Sequence, residues 1–197
     1  MKKIVRRLLQ MYWRWKYSRK ATILGEVYFG RHTRIVRSYG SRRKDIVIGR
    51  GAKIYGSLIS EAGGQIVIGE GAHIGPFTTV GAVKNIEIGR YAMISSHVEI
   101  MDNNNHPVHP NDRLKMNQDG LNSPLKRWVY SASSPVRIGE NTWVGKRAII
   151  LKGVDVGANS IIATGAVVTK SVNSNSVAAG NPAKIVKDSI ETESELL

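Results

Sequence analysis

Ile138-Gly-Glu-Asn-Thr-Trp-Val144-Gly-Lys-Arg-Ala-Ile-Ile150-Leu-Lys-Gly-Val-Asp-Val156-Gly-Ala-Asn-Ser-Ile-Ile162-Ala-Thr-Gly-Ala-Val-Val168 carries an aliphatic residue at every sixth position. Four places after each of the first five stands a small or β-branched residue: Thr142, Ala148, Val154, Ser160 and Ala166. A period of six fits neither an amphipathic helix, at 3.6, nor a half-buried strand, at 2.0. Upstream, Ile68, Ile74 and Val80, and then Ile88, Ile94 and Ile100, repeat the pattern in shorter runs.

A longer repeat contains the short one. Asp45-Ile-Val-Ile-Gly-Arg-Gly-Ala-Lys-Ile54, Gln65-Ile-Val-Ile-Gly-Glu-Gly-Ala-His-Ile74, Asn85-Ile-Glu-Ile-Gly-Arg-Tyr-Ala-Met-Ile94 and Pro135-Val-Arg-Ile-Gly-Glu-Asn-Thr-Trp-Val144 align, the first three 20 residues apart and the last 50 further on. Such a sequence is expected to form a hexapeptide β-helix, in which each hexad is a short strand plus a corner and three hexads close one triangular coil. Coils of 20 rather than 18 residues require extra residues at a corner, with Glu61-Ala62-Gly63-Gly64 one such place. The open ends of a β-helix need covering. The weaker repeat from Phe29 to Ile35 and the segment from Pro182 onward are expected to serve as end regions.

The aliphatic count from Ile88 reaches His106, where the period stops and Asp102-Asn-Asn-Asn-His-Pro-Val-His-Pro110 begins. It resumes at Val136 and Ile138, which leaves residues 107–134 as a long excursion. Long loops held at both ends by a rigid scaffold commonly carry function. The expected organisation is a basic amphipathic helix over 1–20, a β-helix over 21–187 with the inserted loop 107–134, and a tail over 188–197.

The net charge of +14 is concentrated at one end. Residues 1–44 hold fourteen of the 29 Lys and Arg and a single acid, Glu26, so they carry +13 and the remainder +1. No helix-turn-helix, zinc-finger spacing or aromatic RNA-binding signature accompanies this charge, which argues against nucleic acid as partner. Within 1–20 stand eight basic residues and no acid. Ile4, Leu8, Met11 and Trp15 follow helical spacing, with Lys3, Arg7 and Arg14 on another side. Two compatible roles follow: a helix lying on an anionic membrane surface, or a cap packed over the end of the β-helix. The absence of Cys excludes a thiolate nucleophile, and no apolar run approaches the roughly 20 residues of a membrane span. A cytoplasmic location, peripheral to the membrane, is expected.

The hexads together with Ser176-Val-Ala-Ala-Gly-Asn-Pro-Ala-Lys-Ile-Val186 resemble the hexapeptide-repeat acetyltransferases, in particular the galactoside, maltose and polysaccharide O-acetyltransferase branch. The resemblance covers residues 23–187 and is densest in Ile138 to Gly145, Ile162 to Lys170 and Ala179 to Ala183. It implies a left-handed parallel β-helix that assembles as a homotrimer. Acetyl-CoA would lie in a groove between neighbouring β-helices, with a loop His placed at the thioester. The groove maps onto Trp143, Gly145, Lys146, Ala163, Thr164, Thr169 and Lys170, with Lys184 and Lys187 near the phosphates. Amides of the Gly145-Lys146 corner would polarise the thioester carbonyl.

His106 is the candidate general base for a sugar hydroxyl. His109 is the rival in the same string and a candidate for substrate contact. Asp102 and Glu99 are carboxylates near enough in sequence to orient an imidazole, a task a backbone carbonyl does equally well. Asp102 and Asn85 are also candidates for substrate contact. Lys84 and Asn85 stand where the galactoside branch has its substrate carboxylate, which implies a different acceptor. That acceptor could be a glycan hydroxyl, a free sugar, an amino sugar or an antibiotic. A zinc hydratase on the same fold would need converging histidines, yet His73 and His97 fall on different faces by count, so no metal is expected. A non-enzymatic scaffold would need neither the groove motifs nor the loop His.

Overall fold

The computed structural model describes residues 2–192, so the last part of the expected tail, 193–197, lies outside the described residues. Three sheets of six, eight and six strands form the walls of a triangular prism, a left-handed β-helix. Successive coils pair in parallel and in register. On the first wall Ile48, Ile68, Ile88, Ile138 and Val156 stack in one column. On the second the column runs from Phe29 through Ile54, Ile74, Ile94 and Val144 to Ile162. On the third it runs from Ile35 through Leu58, Val80, Ile100 and Ile150 to Val168.

The quoted hexads supply these columns directly: Ile138, Val144, Ile150, Val156, Ile162 and Val168 are each no more than 2% exposed. Burying one such side chain stabilises by roughly 1.5–3 kcal/mol, and identical spacing multiplies that along the prism. The small residues at the corners, Ala52, Ala72, Ala92, Thr142 and Ser160 among them, are buried because the chain turns too sharply there for bulk. Glycine after each first-wall strand but the first, where Leu24 stands, has a steric cause. A Cβ on Gly69 would stand 2.6 Å from the backbone N of Arg90 and C of Gly89 in the next coil.

The segment from Phe29 to Ile35 does lie at one end of the prism, as part of its first coil rather than as the cover. Thr22–Ile23, Tyr28–Phe29 and Arg34–Ser38 form a regular first coil, paired strand for strand with the second. The N-terminal cover is helix α1 (Lys2–Ser18). Gln10 accepts from the N–H of Phe29 at 3.0 Å and donates to its carbonyl at 2.9 Å, closing the two edge groups that face away from the second coil. Lys20 donates to the Ile35 carbonyl in the same way. Tyr17 is buried between Trp13 and Phe29, and its hydroxyl donates to Thr33 at 2.6 Å; burial, and then Tyr12, raises its pKa. At the opposite end Ala183–Lys187 folds back antiparallel on Val177–Gly180 and covers the second wall.

Departures from the hexad gather at the corner between the third and first walls. Tyr39 to Arg42, Ala62 and Gly63, Val83 and Lys84, and the whole excursion after Asp102 leave the prism there, one above another. The second coil also has a short corner: Ile54 to Leu58 takes four residues where neighbouring coils take six. The excursion contains a helix, α2 (Pro110–Gln118), and three single 3₁₀ turns before it returns at Val136.

Candidate active site

Asp102-Asn-Asn-Asn-His106 forms a locked exit from the prism. Asp102 is fully buried, and its carboxylate accepts from the N–H groups of Val83 and Lys84, at 2.9 and 2.7 Å, and from the Asn103 amide at 3.0 Å. The Asn103 side chain accepts from the N–H of Asn105, and the Asn104 carbonyl accepts from the N–H of His106 at 2.7 Å. Asn105 takes a positive φ of 63°, which Asn tolerates better than most residues. The returning strand completes the neck, with Ser134 donating to the Asp102 carbonyl and Asn104 to that of Ala132. Two of the three asparagines in a row, Asn103 by its side-chain bonds and Asn105 by its backbone angle, are therefore explained by the geometry of the neck.

The turn delivers His106 to a cleft of about 450 Å³ on the third wall. Its floor is Ile149, Ile150 and Leu151, and its sides include Glu99, Met101 and Arg113. The His106 ring is exposed and makes no hydrogen bond within the described chain. Arg113 was not legible in the sequence as a cleft residue. Its guanidinium, which donates to the Val108 carbonyl, is brought over by α2. The signal that could have found it is Pro110, a residue suited to the first turn of a helix.

Several expected residues stand elsewhere. Asp102 is engaged on all sides in fastening the neck, which removes it from substrate contact and from His106; Glu99 is the carboxylate that shares the cleft. The Asn85 amide donates to Glu87 on the first wall, away from the cleft lining. His109 is the exposed N-cap of α2 and is not among the cleft residues. The His73 ring packs tilted against Tyr55 on the second wall, its pKa lowered by burial and then by Lys53, while His97 packs tilted against Phe77 at the next corner. Among the described residues no three His, Asp or Glu side chains gather as a metal ion would need.

The expected cofactor residues divide into two sets. Trp143 projects outward from the second wall, 49% exposed, and Gly145, Lys146, Ala163 and Thr164 follow it at the corner leading to the third wall. Lys184 and Lys187 are exposed on the last strand of that second-wall sheet. Thr169 and Lys170 instead lie at the far edge of the third wall, one coil beyond Leu151 of the His106 cleft. The Gly145 amide donates to Ile162 at 2.7 Å as part of the ladder, so it is not free to polarise a carbonyl; of the two corner amides only that of Lys146 remains.

A family model described as the hexapeptide repeat of succinyl-transferase matches residues 135–170. The galactoside O-acetyltransferase of Escherichia coli K12 is 32% identical over 138 residues, which is 67% of either chain. Among solved structures, the polySia-specific acetyltransferase NeuO superposes with a TM-score of 0.68 at 28% identity over 86% of this chain and 66% of its own. The N-acyltransferase AntD of Bacillus cereus, solved with dTDP and 3-hydroxybutyryl-CoA, shares the fold at a TM-score of 0.65 and 20% identity, over 86% of this chain and 84% of its own. By its hexads, its walls and these relatives, the chain belongs to the hexapeptide-repeat acetyltransferases.

Proposed function

We propose that the protein transfers the acetyl group of acetyl-CoA to a sugar hydroxyl of a surface glycan, in the cytoplasm and against the membrane, with His106 as general base. The observation that carries this reading is the unpartnered imidazole held by a locked turn over an open cleft. The hydroxyl oxygen attacks the thioester carbon while His106 takes its proton; the C–S bond then breaks, and the imidazolium returns the proton to the leaving thiolate. Relatives that acetylate galactosides and polysialic acid support a sugar acceptor.

The division of the cofactor residues supports a homotrimer with the site between chains. His106 and Trp143 stand on different walls of one chain, an arrangement suited to a groove closed by two neighbours. Light scattering is expected to give three times 21.7 kDa. Release of CoA from acetyl-CoA, followed across a panel of galactosides, oligosialic acids and amino sugars, tests the acceptor. Turnover confined to an amine would overturn the hydroxyl reading.

A further inference from the structure

Helix α1 covers the prism with one side and turns an apolar side to water. Gln10, Trp13 and Tyr17, spaced three and four apart, face the first coil. The opposite side is Ile4, Leu8, Met11, Tyr12 and Trp15, each half or more exposed. A cap that served packing alone would show the reverse pattern, with its apolar stripe inward and its charges outward. Contiguous exposed apolar surface of this kind marks a contact site. Its rim is cationic. Arg7, Arg14 and Lys53 line a groove of about 430 Å³ between α1 and the second wall. The acid there, Glu26, is 3.9 Å from Arg14 and largely in water. Arg31, Arg34 and Arg37 add charge around the same first coil.

We infer that the outer face of α1 seats the molecule end-on upon an anionic phospholipid bilayer, with the Arg7-Arg14-Lys53 groove receiving a headgroup phosphate. Apolar side chains bordered by Trp, Tyr and uniformly basic residues, with no acid on the helix, match the depth profile of a lipid interface and its negative charge. A protein partner of comparable area would need a concentrated acidic surface around an apolar centre, whereas an anionic bilayer presents both over any area. The contact deepens the membrane reading proposed above and fixes an orientation. Because α1 lies over the end of the prism, the bilayer is crosswise to the stack of coils. The His106 cleft, between the fourth and fifth coils, then stands three to four coil spacings, about 15–20 Å, from the first coil that α1 covers. That height suits an acceptor hydroxyl on a glycan tethered to the membrane, several sugars out from its lipid.

Sedimentation of the full chain with vesicles of phosphatidylcholine, or of phosphatidylcholine with phosphatidylglycerol, tests this directly. Binding is expected only with phosphatidylglycerol and is expected to weaken with salt. The double variant Leu8→Ser/Trp15→Ser, altered only on the outward face, is expected to lose binding at least tenfold, with an unchanged melting temperature and unchanged CoA release on a soluble acceptor. Arg7→Gln/Arg14→Gln should weaken binding about tenfold and leave the apolar face intact. No binding to either vesicle, or binding untouched by both variants, overturns the inference. Bound vesicles without acetyl transfer leave the docking standing and remove only the acceptor reading.

Discussion

Two kinds of corner coexist in one prism. Between the first and second walls every coil turns alike: Asn141, Asn159 and Asn175 stack with side-chain hydrogen bonds of 3.1 and 3.0 Å. Between the third and first walls no two of the first four coils turn alike, and the residues there hold one another across coils. The Trp128 ring, in the returning excursion, lies against Gly81; a Cβ on that glycine would come within 3.0 Å of the ring. Val129 donates to Glu61 at 3.4 Å, and Arg127 sits over the Tyr39 ring at 4.0 Å. The contrast teaches that the walls make a ruler and that one edge of the ruler carries the excursion with His106. Irregular corners stacked in sequence provide a seat for a loop that no single coil could support.

The largest expected effect falls at that irregular edge. His106→Ala should lower acetyl transfer by about 10²–10⁴-fold while acetyl-CoA affinity stays nearly constant, since the imidazole acts on the proton in flight. Near-normal turnover in single-turnover assays would move the base elsewhere.

Next is the neck of the loop. Asp102→Ala leaves the buried N–H groups of Val83 and Lys84 without their acceptor and should cost about 2–4 kcal/mol in urea unfolding. Limited proteolysis should then cut within 102–134. If stability is unchanged, the carboxylate is not the fastener described. A smaller loss, about 1–2 kcal/mol, is expected for Gln10→Ala at the regular end, where two edge hydrogen bonds disappear. The smallest effect belongs to His73 on the second wall. Its folded pKa is lowered, so its contribution to stability is full above the ordinary value of 6.5 and declines as pH falls below it. His73→Gln should flatten the acid limb of a stability profile, and an unaltered limb would assign it to other groups.

How much was legible in the sequence follows from the same contrast. The inward columns were, because most positions repeat at six and, Phe29 apart, hold aliphatic side chains. That the chain departs in this stretch was also legible, but the count of six set the loop at 107–134, whereas the chain leaves the prism at Asp102, whose carboxylate fastens the neck. What escaped were features set by contacts between coils. The short corner at Tyr55 to Ser57 is masked by extra residues at Glu61 to Gly64, so the coil still counts 20. The outward apolar stripe of α1 has the spacing of a buried one. Asp102 reads as a solvated loop acid until the N–H groups of the preceding coil close on it. His106 needed only the end of a count, whereas Arg113 needed a short helix with only two apolar side chains besides its first proline, Leu114 and Met116.

The stacked coils share their spacing with a cross-β fibril, about 4.8 Å from strand to strand, and any such stack can template its own extension. What stops growth here is local to the ends. At one end the Gln10 carboxamide occupies the hydrogen-bonding sites an incoming strand would take; at the other an antiparallel strand presents the wrong polarity for another parallel coil. The walls have the geometry to polymerise, and a few residues remote from the candidate active site close the second-wall edges at which a further coil would pair.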